Sequence, residues 1–589
     1  MEKRVLLAVA LSFLVLVVYQ SLFVPPRPDP VRDVPVAASP TPATGPVEPT
    51  PAPGGPPSVV TAPAAATEEL PPAEPLVADT EVRDVTVDTA RLLAVFSNRG
   101  AELTSWKLKG YRTESREPVD LVPPNLPETE PRAFALLADD PLLTKRLREA
   151  LYRPSTTTLD VAAGSRRLSF EYQDGAGLDV RKQFDFESRN HPYLVAFSAE
   201  VRLNGQAVPV RISSGPGLGD TERAVGSSSF FVPGYYQKPQ AIFARLGDGS
   251  AERVLATELV KQPEQSGRFL YLGADDHYFL GAVLPGDRTL HAAYRALSVP
   301  APGGADGVRD LVVFEWRVDG PVEGLEFYFG PKHFDTLAEL GTDFTRIVHF
   351  GIFAWLVVPL LRALNWVHGF AGNYGWSIII LTIFINAAMF PLRHKSVVSM
   401  RKMQELQPEI KAIQERYGKL KTTDPARQKM NTEVMNLYRE RGVNPASGCL
   451  PMLLTFPVLF AFYSLLSQAI EIRDAPFVGW ITDLSTHDPL YVTPILMGAT
   501  MVWQQKITPS TADPMQQRIM MFMPIMFTFL FLWAPSGLVI YWFTSNVWAI
   551  GQQMITNKII GPPQVKPARP AAERRVKQAG TGKSEQARH

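Results

Sequence analysis

The last third of this chain holds five apolar runs with no Asp, Glu, Lys or Arg inside them: 376–392, 450–470, 490–505, 519–533 and 537–557. Such runs satisfy their backbone as helices and must place their side chains in a core or a bilayer. One strongly charged segment, 393–445, interrupts the series. The pattern predicts a membrane bundle with a charged hairpin on one side, and it limits the chemistry. Proton and cation relays rest on intramembrane carboxylates, which these runs lack. They also contain no Lys or His for a Ser-Lys or Ser-His dyad. A transporter or channel is one alternative class, but the paired, Gly-broken helices of transporters are missing from the pattern. The expectation is a bundle acting by apolar and weakly polar contact, with no catalytic residue, metal or cofactor.

Residues 1–24 begin with Lys3 and Arg4 and run apolar from Val5 towards Val24. A cleaved signal ends in small residues at alternate positions. Here Ser21-Leu22-Phe23-Val24 leads straight into Pro25-Pro26. The run can cross roughly 30 Å of hydrocarbon, so it reads as an anchor with its N-terminus inside. Residues 25–79 follow as a Pro-rich disordered tether, with no aromatic between Phe23 and Phe96 and too little apolar surface to order itself. Residues 80–335 change to short alternating runs such as Leu92–Phe96 and Tyr193–Val201, divided by turn signals such as Asn204-Gly205 and Asp248-Gly249. That is the pattern of an all-β sandwich lying outside the cytoplasm. It offers no ligand cluster or nucleophile motif.

Charge decides the topology. Segment 393–445 carries 12 Lys and Arg against 6 Asp and Glu, and belongs inside. Were 352–368 a span, that segment would fall outside. Residues 336–375 are therefore expected as an amphipathic helix on the outer interface, with Trp355 and Trp366 at headgroup level. Six spans result: 5–24 and the five runs, with both termini cytoplasmic. The tail 558–589, with eight Lys and Arg against Glu573 and Glu585, agrees. The lone Cys449 has no partner for an intrachain disulfide and reads as a small buried residue. In the hairpin, Val397, Met400, Met403, Ile410, Ile413 and Tyr417 recur at helical spacing, as do Met430, Val434, Leu437 and Tyr438. They predict two antiparallel helices joined near Gly418–Asp424, zipped by their apolar faces. Lys419 and Lys421 at the tip are candidates for partner contact.

Ordered motifs then carry a resemblance. Phe390-Pro391-Leu392, Met403 to Pro408, Asn444-Pro445 to Pro451, Trp480 to Ser485, Asp513 to Gln517, Pro535-Ser536-Gly537 and Ser545-Asn546 follow one another in the chain. Over roughly 350–557 it strongly resembles the YidC/Oxa/Alb membrane-protein insertase family. Residues 80–335 look like the large periplasmic β-sandwich of the Gram-negative form. The resemblance implies a five-helix insertase core at 376–557 in the bacterial inner membrane. It implies insertion and folding of nascent membrane proteins, alone or beside the Sec translocon, without nucleotide. The groove doing this opens to cytoplasm and lipid and is closed outside. A folding and assembly factor that does not itself insert its partners shares every one of these sequence features. The ribosome and the signal-recognition machinery are candidate partners of the hairpin and tail.

In much of that family the first core helix carries a groove Arg, five residues before the Pro of the Pro-Leu pair. Here that position is Asn386, and the family Thr one turn earlier is Thr382. Arg393 follows Asn386 by seven residues. On an ideal helix it lies within about 20° of the same face and roughly 10.5 Å nearer the cytoplasm, so it is expected at the groove entrance as a partial substitute. Pro391 could spoil that geometry. Thr455, Ser464, Ser467, Gln468, Tyr541, Trp542 and Asn546 complete the substrate-groove candidates. For each Ser and Thr, bonding within its own helix competes with substrate contact.

Overall fold

A computed structural model of the chain describes residues 74–113, 115–124, 126–161, 164–187, 191–217, 237–248, 250–300, 308–417, 426–443, 450–508 and 514–560. The expected anchor 1–24, the tether to residue 73, Cys449, the hairpin tip with Lys419 and Lys421, and the tail beyond residue 560 lie outside the described residues.

The first half is β-rich. A five-stranded sheet runs through Pro118–Asp120, Glu102–Arg112, Leu92–Ser97, Asp84–Thr89 and Thr158–Val161, the last pair parallel. A larger antiparallel sheet contains Ser165–Asp174, Leu178–Glu187, Leu194–Leu203, Val322–Pro331, Phe279–Leu284 and Glu264–Asp275 in that order. Period-2 burial fixes their register: Val180, Phe184 and Phe186 point inward from Leu178–Glu187, as do Ala94 and Phe96 from Leu92–Ser97. The facing aromatics interlock, with Phe96 and Phe184 ring centroids 4.7 Å apart and Phe134 and Phe184 5.0 Å apart. Each fully buried Phe contributes about 1.5–3 kcal/mol. The region is not all β as expected: Pro141–Glu149 is a helix (α1), started by Asp140, whose side chain accepts from Leu142 N.

One inward position breaks the apolar pattern. Lys182 is fully buried, and its Nζ donates to Gly100 O at 2.6 Å, Phe134 O at 2.7 Å and Ala101 O at 3.3 Å. Those three acceptors belong to residues with positive φ. Their tight turns aim carbonyls inward, and the ammonium satisfies them.

The stretch 336–375 departs from the expected single interfacial helix. It forms Phe334–Leu340 (α2), two 3-10 turns at Thr342–Ile347 and Gly351–Phe353, and Ala354–Ala371 (α3). The break comes at Gly341, whose φ of 143° stops α2. Trp355, Trp366 and Phe370 are exposed on α3, while Val357, Leu361 and Leu364 are buried.

The second half is helical: Tyr374–Glu405 (α4), Gln407–Arg416 (α5), Ala426–Glu440 (α6), Leu450–Gln468 (α7), Val492–Ile507 (α8), Pro514–Phe531 (α9) and Ser536–Ile560 (α10). Two described helices, Gly351–Ala371 and Tyr374–Glu405, are long and apolar enough to cross a bilayer, by length and composition; Thr455–Gln468 and Gln517–Phe531 are shorter apolar helices. In the hairpin, Met403, Leu406, Ile410 and Ile413 meet Leu437 and Val443 in a cluster of their own. Arg441 to Glu409 at 2.8 Å and Arg416 to Glu433 at 3.1 Å flank it.

The two halves are joined by a polar knot. His277 Nδ1 accepts from Gln237 N at 3.2 Å, so its Nε2–H faces Ser467 O at the end of α7, 2.7 Å away. Lys332 pairs with Asp275 at 3.0 Å, and Glu471 accepts from Phe334 N at 3.0 Å. The Arg473 guanidinium stands over the rings of Tyr278 and Phe279 at 5.2 and 5.0 Å.

Candidate functional site

Among the described residues, buried polar side chains of the bundle lie on one face of α4 and along α10, where Asn546, Gln552, Gln553 and Thr556 are buried. On the α4 face, Thr382 and Asn386 are buried at 0% and 4% exposure. Thr382 Oγ1 donates to Ile378 O at 2.6 Å, within its own helix. Asn386 uses both ends of its carboxamide. Its Nδ2 donates to Thr382 O at 2.8 Å and reaches Ser545 Oγ of α10 at 3.4 Å. Its Oδ1 accepts from Arg393 Nη1 at 2.8 Å. Pro391 sits inside α4 without ending it, so the seven-residue spacing still brings the guanidinium back along the helix. The result is a continuous polar stripe, Thr382–Asn386–Arg393, with Ser545 on the facing helix and the formal charge of Arg393 at its lower end.

The opposite end is plugged by the loop between α7 and α8. Asn373, the N-cap of α4, donates to Pro476 O at 2.9 Å. Ser536 N and Oγ both donate to Thr486 O, at 2.7 and 2.8 Å, and Gly537 N donates to Leu484 O at 2.9 Å. Asp488 holds the loop's shape, accepting from Trp480 Nε1, Leu490 N, Thr493 N and Thr493 Oγ1 at 2.8–2.9 Å. Phe477 lies against Gly375 so closely that a Cβ at 375 would overlap its ring. Arg112 N, from the β-rich half, donates to Asp474 Oδ2 at 3.0 Å and ties the plug outward as well. Among the described residues no group of three or more His, Cys, Asp or Glu side chains is gathered to hold a metal.

Residues 366–562 match the family described as 60Kd inner membrane protein, and residues 84–363 match the YidC periplasmic domain. A membrane protein insertase YidC from Geobacter metallireducens is 36% identical over 593 residues, covering 96% of this chain and 100% of its own. The chain belongs to the YidC membrane protein insertase family. A second YidC, from Pelobacter propionicus, is 35% identical and covers 95% of this chain and 100% of its own. The crystal structure of an active YidC insertase with its first transmembrane domain resolved covers 82% of this chain and 94% of its own, at 16% identity and a TM-score of 0.33, too low to bear on the fold.

In this YidC-family chain the sequence-derived candidates divide. Thr382, Asn386 and Arg393 come together on α4, and Tyr541 stands beside them on α10, buried and stacked on Phe462 with centroids 4.2 Å apart. Trp542, the next residue, turns to Phe527 and Phe531 of α9 at 5.7 and 4.9 Å. Asn546 faces α8, its Nδ2 3.4 Å from Met497 O and 3.3 Å from Thr500 Oγ1. Ser464 donates to Phe350 O at 2.9 Å and ties α7 to the segment before α3. Thr455 and Gln468 are half-buried on α7, Gln468 as its last residue. Ser545, in the sequence only a part of the Ser545-Asn546 motif, was not among the groove candidates. It is one helical turn from Tyr541, and that spacing was the available signal.

Proposed function

We propose that this chain inserts and folds integral inner-membrane proteins, with the Thr382–Asn386–Arg393 stripe as the polar wall of its substrate groove. The observation that carries this reading is the 2.8 Å hydrogen bond from Arg393 to Asn386. It extends a buried polar path along α4 and leaves a fixed positive charge at one end. Moving a short polar segment across hydrocarbon costs several kcal/mol per unsatisfied backbone group. A path offering donors and acceptors part-way lowers that cost, and the guanidinium attracts acidic segments into it. The substrate's apolar helix then partitions into lipid, which drives the step without nucleotide. The plug at 474–491 supports closure of the groove on the periplasmic side.

The topology that goes with this reading has six spans: 5–24 and the cores of α4, α7, α8, α9 and α10. Both termini and the 393–445 hairpin are cytoplasmic, and α3 lies along the outer interface. The excess of Lys and Arg in 393–445 and 558–589 supports the orientation. The Sec translocon, the ribosome and the signal-recognition machinery are the partners proposed for cooperative insertion.

The test is protease protection of a small single-span or two-span substrate added to liposomes that hold only this protein, with no nucleotide. Protection above empty liposomes establishes autonomous insertion. No protection from correctly oriented protein replaces this reading with a Sec-dependent folding factor.

A further inference from the structure

A groove lies on the exposed side of the seam between α4 and α10. It has a volume of about 540 Å³ and is lined by Ala387, Phe390, Val547, Trp548, Gly551 and Gln552, among others. Its lining on α4 is turned roughly 40–140° from Asn386 around the helix, so it is separate from the polar stripe. Ile383, Val547 and Ile555 on its walls are exposed at 39%, 47% and 54%, so it opens sideways.

Its chemistry is mixed in one specific way. Among the described residues, neither Trp548 Nε1 nor Gln552 Oε1 has a hydrogen-bond partner, although both atoms are buried. Gln552 is only 6% exposed. These two line the groove one helical turn apart, a donor followed by an acceptor. An unmatched polar atom at membrane depth costs several kcal/mol, so a native occupant is expected to satisfy both. Just beyond the groove, one turn nearer the chain's basic side, stand His394 and Lys395 on α4 and Lys558 on α10.

We propose that this groove is a binding site for one anionic glycerophospholipid of the cytoplasmic leaflet. An acyl chain fills the apolar trough over Ala387 and Gly551. An ester carbonyl accepts from Trp548 Nε1, and a water held against the glycerol backbone donates to Gln552 Oε1. The phosphate faces Lys558 and His394, where basic residues near the membrane surface attract anionic lipid. Gln552 lies roughly 12 Å from the end of α10, at the depth of the glycerol region. The orientation proposed above sets the leaflet; the site itself stands on the groove geometry alone. A substrate helix is the competing occupant, but it has its backbone already paired and offers neither a free acceptor for Trp548 nor a negative charge for Lys558.

The experiment is native mass spectrometry of the full-length protein released from mild detergent, with phosphatidylglycerol or phosphatidylcholine added. Wild type is expected to retain one phosphatidylglycerol in preference to phosphatidylcholine. Gly551→Leu fills the groove; a Cβ there meets nothing within 4 Å, so the fold tolerates it. It should abolish retention, while Trp548→Phe and Gln552→Leu each lower it about tenfold, the scale of one lost hydrogen bond. Equal retention of the two lipids, or unchanged retention by Gly551→Leu, overturns the proposal. So does a photocrosslinker at Val547 that captures nascent polypeptide in place of lipid. Asn386→Ala should keep full lipid retention, so failure of the insertion reading and failure of the lipid site give different results.

Discussion

Arg393 donates to the carboxamide oxygen of Asn386 over 2.8 Å, seven residues away along the same face of α4. The pair places a charge-bearing group in the stripe although no Arg occupies position 386. Arg393→Gln is expected to lower insertion of an acidic-tailed substrate about tenfold, the scale of a charge-assisted hydrogen bond, and to spare a neutral-tailed one. Asn386→Ala should do the same by leaving the guanidinium unanchored. Protease protection of paired substrates reads both. If both variants insert the acidic-tailed substrate normally, the stripe is structural only.

Gly375 is required by the plug. Gly375→Ala drives a methyl group into Phe477, and the cost expected for such overpacking is about 1–3 kcal/mol. Thermal unfolding should show a lowered transition, and Phe477→Leu in the same chain should recover most of it. Non-additivity of the two changes is the diagnostic, since the residues touch.

Lys182 Nζ donates to three inward carbonyls at once, Gly100 O, Ala101 O and Phe134 O. Burial pushes its pKa down to about 7, against the raising field of Glu102. Lys182→Met keeps the volume but orphans the carbonyls, at a cost of about 1–3 kcal/mol for each that finds no water. The melting temperature of the β-rich half should fall, and a Lys182→Met protein as stable as wild type would refute the role.

His277 bridges the halves as a neutral imidazole. Burial, with the positive charge of Lys332 next, pushes its pKa down to about 3. The unfolded chain binds that proton from the ordinary value of 6.5 downward, and the folded chain does not. Stability should therefore be fully present above pH 6.5 and fall as the pH drops towards 3, with a limiting slope of about 1.4 kcal/mol per pH unit. His277→Gln carries no titrating proton, so its melting temperature should vary less with pH across that window. Equal pH profiles for the two proteins would remove His277 as the cause.

By itself the sequence determined the broad architecture, because hydrophobic period and charge act locally. Five uncharged apolar runs had to become helices, and alternating runs such as Leu92–Ser97 had to become strands with one buried face. The hairpin faces were legible for the same reason: Ile410, Ile413 and Leu437 repeat at helical spacing and meet in one cluster. The Asn386–Arg393 alignment was also readable, since both residues ride one helix and its pitch sets their angle.

Only the tertiary structure decided what lies opposite each polar side chain. Ser464 and Asn546 share the composition of a groove residue, yet one bonds Phe350 O and the other faces α8, because contacts between helices depend on rotation and crossing, not on spacing within one helix. The same holds for Lys182, whose carbonyl partners come from turns up to 82 positions away, and for Trp548 Nε1 and Gln552 Oε1, which find no partner among the described residues. Local pattern fixes which face of an element is polar; packing fixes what that face meets.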